Sequence, residues 1–403
     1  MRRAAERFDA ATPAGRRREV DALRAFAILG VVLGHWLVTA LVADGGSLRT
    51  ASPLGEMPWL APISWVFQTL AVFFLVGGHV ATQGHASAQA RGVPYRRWLR
   101  LRLARLFRPV MPVAALWSVS AVTLLLSGTD YGTVRTLVKL ALSPLWFLLV
   151  YAGLTAATPL LARVHPLWPL VVVLHVDVVR FGLGGPPWLG WVNLVAGWAV
   201  PFTLGAAWTR GEAESRRAGW LLLCGGAVAT AGLVAWAGYP ASMVGVPGAA
   251  VSNLNPPTLA AVTFGVAQCG LALLLRGRLS RAMRRPVLWA GVAGANLFAL
   301  TVFLWHQTAL MAVTASTLPL GPLPGLHTAP GDLGWIAGRL VWLPVFALAL
   351  AVCWAAFRFC ELDARAVRTR RRERPARVAG PSGPAGGPAA GRRPSAVEEV
   401  RHV

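Results

Sequence analysis

Apolar runs of about one helical membrane crossing each, separated by short polar stretches, follow one another from near residue 20 to near residue 358. A hydrocarbon core of about 30 Å takes roughly 20 residues of helix, and a window of that length marks ten expected spans. They lie near 20–43, 60–82, 109–127, 143–160, 166–183, 188–208, 218–238, 257–275, 293–315 and 335–358. The expected fold is all-α, with a membrane domain over 20–360 and a basic arm at 1–19. That arm precedes a first span without a small-residue cleavage site, so the span is expected to stay as a helix. The segment 361–403 opens basic and then reads "GPSGPAGGPAAG", a composition that cannot bury a core and is expected to be disordered.

Composition agrees, since 55% hydrophobic and 14% charged residues lie outside the range of a soluble domain. The net charge of +23 would suit nucleic acid, but the basic residues cluster between spans, without a basic groove motif. There they set topology and meet membrane lipid. Arg16, Arg17 and Arg18, then Arg91 to Arg108, Arg210 with Arg216 and Arg217, and Arg276 to Arg285 all fall on one side of the expected spans. The other side carries Arg49, Arg135 with Lys139, and Arg180, and no Lys or Arg in 239–257 or 316–334. Cytoplasmic loops hold the excess of basic residues, so both termini are expected in the cytoplasm of a multi-pass plasma-membrane protein. Cys224, Cys269, Cys353 and Cys360 have no paired spacing, so neither a disulfide nor a metal site is expected.

The chemistry begins in "LRAFAILGVVLGHW", where Arg24 and His35 stand inside the first span. They are eleven residues apart, roughly 16 Å along a helix and within about 20° of one face. One reading has Arg24 snorkelling to headgroups and His35 bonding a neighbouring helix. The other has both facing an internal cavity, as ionisable groups in a span usually do.

"DALRAFAILGVVLGHW" resembles the first helix of the acyltransferase 3 family of integral membrane acyltransferases, in which Arg or Lys is followed by ten residues and then His. "LAVFFLVGGHV", "YRRWLRLRLARLFRPVMP", "SPLWFLLVYAGLTAATPLL" and "LFALTVFLWHQTAL" follow in that family's order, so the resemblance covers roughly 20–362. "WVNLVAGWAVPFTLGAAW" and "NPPTL" look like its actinobacterial branch. Gly77 stands where many members have Ser, and "LWFLLVY" lacks a Glu that many carry.

The resemblance implies an O-acyltransferase with no permanently bound cofactor. Its donor is acyl-coenzyme A, with acetyl the expected group, and its acceptor is a hydroxyl on a carbohydrate, lipid or secondary metabolite. A hydroxyl is a poor nucleophile until a base takes its proton, and His35 is the expected base, with Arg24 as its catalytic companion farther along the same face. His306 matches the family's late histidine and is expected either to support the site or to be a satisfied core residue. Arg102 and Arg105, neighbours on a helix face, suit the donor's phosphates, although such a cluster also holds anionic lipid. Trp146 suits a substrate platform or an interfacial belt. Asp177 and Arg180 suit the acceptor site or mutual neutralisation. His79 and His85 are expected in solvated positions.

Two other classes make different demands on the sequence. A transporter or exporter would show paired repeats or matching broken helices, which this sequence lacks. A haem protein would pair its ligands on shared helices, whereas His35, His175 and His306 lie on three different spans.

Overall fold

The computed structural model describes residues 2–13, 15–45 and 47–360, so the expected disordered segment lies outside the described residues. The chain opens with α1 (Arg2–Ala10) and α2 (Arg18–Val38), then a hairpin of β1 (Ala40–Asp44) and β2 (Ser47–Ala51). Two single turns, α3 (Pro53–Glu56) and α4 (Ala61–Ser64), lead to α5 (Leu70–Ala90). α6 (Tyr95–Phe107) with α7 (Val110–Leu126), and α8 (Tyr131–Leu142) with α9 (Leu145–Ala156), each make one long apolar stretch. α10 (Thr158–Leu161), α11 (Leu167–Asp177), α12 (Gly190–Thr209), α13 (Arg216–Trp236), α14 (Leu259–Ala282), α15 (Pro286–Leu297), α16 (Ala299–Thr317) and α17 (Leu333–Phe357) follow.

Among the described residues, seven stretches are long and apolar enough to cross a membrane, and an eighth if α15 and α16 count together. The chain is therefore an all-α, multi-pass membrane protein with one small hairpin. The expected spans near 60–82 and 166–183 are not among those eight. Where the former was expected, α5 begins at Leu70, and its second half carries His79, Gln83, His85, Ser87 and Gln89. It packs against α2, α12 and α14, and a helix enclosed by other helices has no need of an apolar surface toward lipid. Where the latter was expected, α11 runs only eleven residues before a π-turn at Val178–Gly182.

Three further departures have local causes. The first span was expected to reach residue 43, but α2 ends at Val38 and the chain turns into the hairpin, whose Leu48 N–H donates to Thr133 Oγ1 on α8 at 3.0 Å. The span expected at 293–315 breaks at Phe298 with a 71° bend. Asn296, just before the break, sends its amide to Asp21 O at 2.7 Å and Val292 O at 3.0 Å, a side-chain competition that favours ending a helix. His79, expected in solvent, is buried with Trp208 stacked on it at 4.2 Å and Thr209 Oγ1 2.9 Å from its Nδ1.

Helix contacts follow membrane rules, in which small residues let backbones meet. α5 and α12 meet at Gly78 and Gly205: a Cβ on Gly78 would lie 1.9 Å from Phe202 O, and one on Gly205 would lie 2.0 Å from Leu75 O. α13 and α14 meet in the same way at Gly226 and Gly270. Gly205→Ala is therefore expected to lower the melting temperature of the purified protein clearly, since overpacking costs about 1–3 kcal/mol. Gly153→Ala, whose Cβ would meet nothing within 4 Å, is the neutral control. Equal melting temperatures for the two variants would refute this account of the α5 and α12 contact.

Candidate active site

The site begins where α2 ends. A helix terminus leaves carbonyls without intrahelical partners, and inside a membrane protein no bulk water replaces them. Arg339 of α17, 0% exposed, meets this need. Its Nε donates to Trp36 O at 2.6 Å, its Nη1 to Gly325 O at 2.8 Å, and its Nη2 to Thr39 O. The guanidinium also lies over the rings of Trp335 at 5.2 Å and Phe346 at 4.9 Å. Trp36 adds a second tie, because its Nε1–H donates to His306 O on α16 at 3.0 Å.

These ties fix the turn that carries His35. The His35 and His306 rings lie 5.0 Å apart at 45°, and Gln307 Nε2 is 3.0 Å from His35 Nδ1. His306 Nδ1 lies 2.5 Å from Phe303 O, so it donates there and its Nε2 carries the lone pair. That Nε2 is buried without a hydrogen-bond partner, as is Gln307 Oε1. Two unpaired acceptors beside a histidine are unusual in a packed interior, where buried polar groups are normally bonded.

His35 opens onto a cavity of about 570 Å³. Phe67, Trp146, Phe147 and Phe303 supply ring surface, and Ser64, Gln68 and Asn255 supply polar groups. The size and mixed lining suit a small-molecule site. Among the described residues, no Asp or Glu lines it.

The structure brings together His35, His306 and Trp146 in and behind this cavity, and gathers the remaining expected residues elsewhere. Arg24 is not in the cavity lining; it lies 3.8 Å from Asp21 one turn earlier on α2. Arg102 turns toward α5, where its Nη2 donates to Val80 O at 3.1 Å and its guanidinium lies 5.0 Å from the Trp98 ring. Gly84 makes room, since a Cβ there would lie 2.0 Å from Arg102 Nη2. Arg24 and Arg105 both act electrostatically on Arg102, as does Tyr151. Tyr151 stacks on Phe147 at 6.3 Å and 11°, and Phe147 lines the cavity.

Asp177 and Arg180 lie outside the cavity lining. Asp177 accepts from Asn193 at 2.8 Å, from Tyr239 at 3.0 Å, and from the Leu259 N–H that opens α14 at 2.6 Å, with Arg180 4.0 Å away. It ties three helices and one loop together. Sequence reasoning passed over Arg339, although an arginine in "GWIAGRLVWLPVF" is the same kind of intramembrane charge that drew attention to Arg24. It also passed over Gln307, the neighbour of His306.

A multi-helix membrane protein with two neighbouring histidines at the wall of a half-open cavity is the class this geometry defines. Residues 17–358 match the acyltransferase domain of the acyltransferase 3 family, and the chain belongs to that family. It is a membrane acyltransferase, which works on an acyl donor and an acceptor. No curated protein and no solved structure matches the chain.

Loss of the Arg339 clamp should be visible in stability. Arg339→Met is expected to destabilise the fold by on the order of 2–3 kcal/mol, the scale of a lost charged hydrogen-bond set. Arg339→Lys, a point charge instead of a fork, should recover only part of this. Thermal melting of the purified variants checks it, and wild-type melting in both would remove the clamp from the account.

Proposed function

We propose that this acyltransferase moves a short acyl group, acetyl in the first instance, from acyl-coenzyme A to a hydroxyl, with His35 as general base. The observation that carries this is the position of His35 on the cavity wall, backed by Gln307 and His306. In this reading both termini face the cytoplasm of the plasma membrane. Arg24, Arg102 and Arg105 then face the side from which the donor comes, and its phosphates bind among them as bidentate partners.

The acceptor hydroxyl enters the cavity and gives its proton to His35 Nε2 as its oxygen attacks the thioester carbonyl carbon. The carbon–sulfur bond breaks, the ester forms, and the proton passes from His35 to the leaving thiolate. For this the Nδ1 of His35 must carry a proton, which a half-turn of the Gln307 amide supports by presenting its oxygen instead of its nitrogen. His306 stands behind as a positioning residue. A general base of this kind contributes about 10²–10⁴-fold, and the rest of the acceleration comes from holding donor and acceptor together.

His35→Gln keeps polarity and approximate volume but cannot accept a proton near neutral pH. Transfer from radiolabelled acetyl-coenzyme A, normalised to folded protein, is expected to fall by at least about 10²-fold. Arg102→Ala should instead raise the KM for the donor and change kcat less. Turnover near wild type in His35→Gln would overturn the proposed base.

A further inference from the structure

The cavity has a second set of features beyond the histidines. Arg135 and Lys139 stand four residues apart on α8, and Thr136 and Leu140, with Ser143 at the helix's C-cap, complete one stripe along the cavity wall. The other face of α8 buries Thr133, Val134 and Ala141. The stripe is thus held toward the space that His35 also lines. The acid nearest to it in sequence, Asp130, caps α8 through the Thr133 N–H at 2.9 Å. Among the described residues no Asp or Glu lines the cavity, so its lining there carries two positive charges without a built-in counter-charge.

The placement of these cations is informative. In the topology expected from the sequence they fall on the side that carries few basic residues, where the charge bias of the loops does not call for them. A guanidinium fork and an ammonium on adjacent turns match a phosphate, which brings one negative charge as a diester or nearly two as a monoester, and several acceptor oxygens. The aromatic floor of Trp146 and Phe147 and the side chains of Gln68 and Asn255 remain for the hydroxyl-bearing part.

We propose that the acceptor carries a phosphate, held by Arg135 and Lys139 at the cavity while its hydroxyl reaches His35. This rests on the acyltransfer reading above and adds the acceptor's chemical class to it. The phosphate belongs either to a lipid headgroup or to a soluble sugar phosphate.

Thermal unfolding of the full chain in an uncharged detergent at low ionic strength tests the proposal. The probes are dioctanoyl phosphatidylinositol, glucose 6-phosphate, glucuronate and glucose. A ligand that binds the folded state raises the unfolding temperature according to its concentration over Kd. At least one phosphorylated probe should stabilise the wild-type protein. In Arg135→Gln/Lys139→Gln its affinity should fall by about tenfold or more. The charge-conserving Arg135→Lys/Lys139→Arg variant should retain most of the effect. Stabilisation by the lipid alone assigns the phosphate to a headgroup, and stabilisation by glucose 6-phosphate alone assigns it to a soluble acceptor. No shift from either phosphorylated probe, an equal shift from glucose or glucuronate, or an undiminished shift in the Gln double variant would overturn the proposal. His35→Ala separates the two readings, because it should keep the shift while losing transfer. Transfer that depends on His35 while phosphorylated and neutral probes behave alike would sink the phosphate assignment alone.

Discussion

Everything at the site depends on how α2 is allowed to end inside the protein. Its last carbonyls, Trp36 O and Thr39 O, receive the guanidinium of Arg339, whose partners are carbonyl oxygens and two ring faces. A buried charge is costly unless it is well bonded, and here the cation also lies at the partial negative charge of a helix C-terminus. The arrangement satisfies both needs at once. It holds α2 against α17, while Trp36 holds it against α16, and the two ties leave His35 a single place relative to His306 and Gln307.

From that fixed turn the molecule separates into two polar regions joined by aromatic packing. Arg24 on α2 and Arg105 on α6 both act electrostatically on Arg102, and the cavity with His35 lies near the end of α2. Tyr151, Phe147 and Phe303 connect them ring to ring. An acyl transfer needs such a division, because the charged part of the donor and the reacting carbon have opposite requirements for water. The close glycine contacts between α5 and α12 set the spacing within which the aromatic layer packs, with Phe74 stacked on Trp198 at 4.9 Å.

Much of this was legible in the sequence, for reasons that differ from residue to residue. Apolar length gave most of the membrane-crossing stretches, and charge inside a span singled out His35. Helical spacing alone put Arg24 on the same face as His35, but a shared face does not make a shared cavity. Arg24 instead pairs at 3.8 Å with Asp21, the acid one turn before it. Spacing likewise linked Asp177 only to Arg180, whereas its stronger bonds go to Asn193, Tyr239 and Leu259, all distant in the chain. The polar second half of α5 argued for a solvated end, and only enclosure by other helices shows why His79 is buried. Residues whose role depends on long-range contacts, Arg339 above all, carry no local pattern beyond an unexpected charge.

The central claim is that one molecule holds the donor's charged end at the arginines and its acyl carbon at His35. A structure of the full chain with a non-hydrolysable thioether analogue of acetyl-coenzyme A tests this most directly. The account predicts phosphate oxygens within hydrogen-bond distance of Arg102 and either Arg24 or Arg105, and the acetyl carbon in the cavity beside His35. An analogue bound with its acetyl end away from the cavity, or with its phosphates held by other residues, would contradict it.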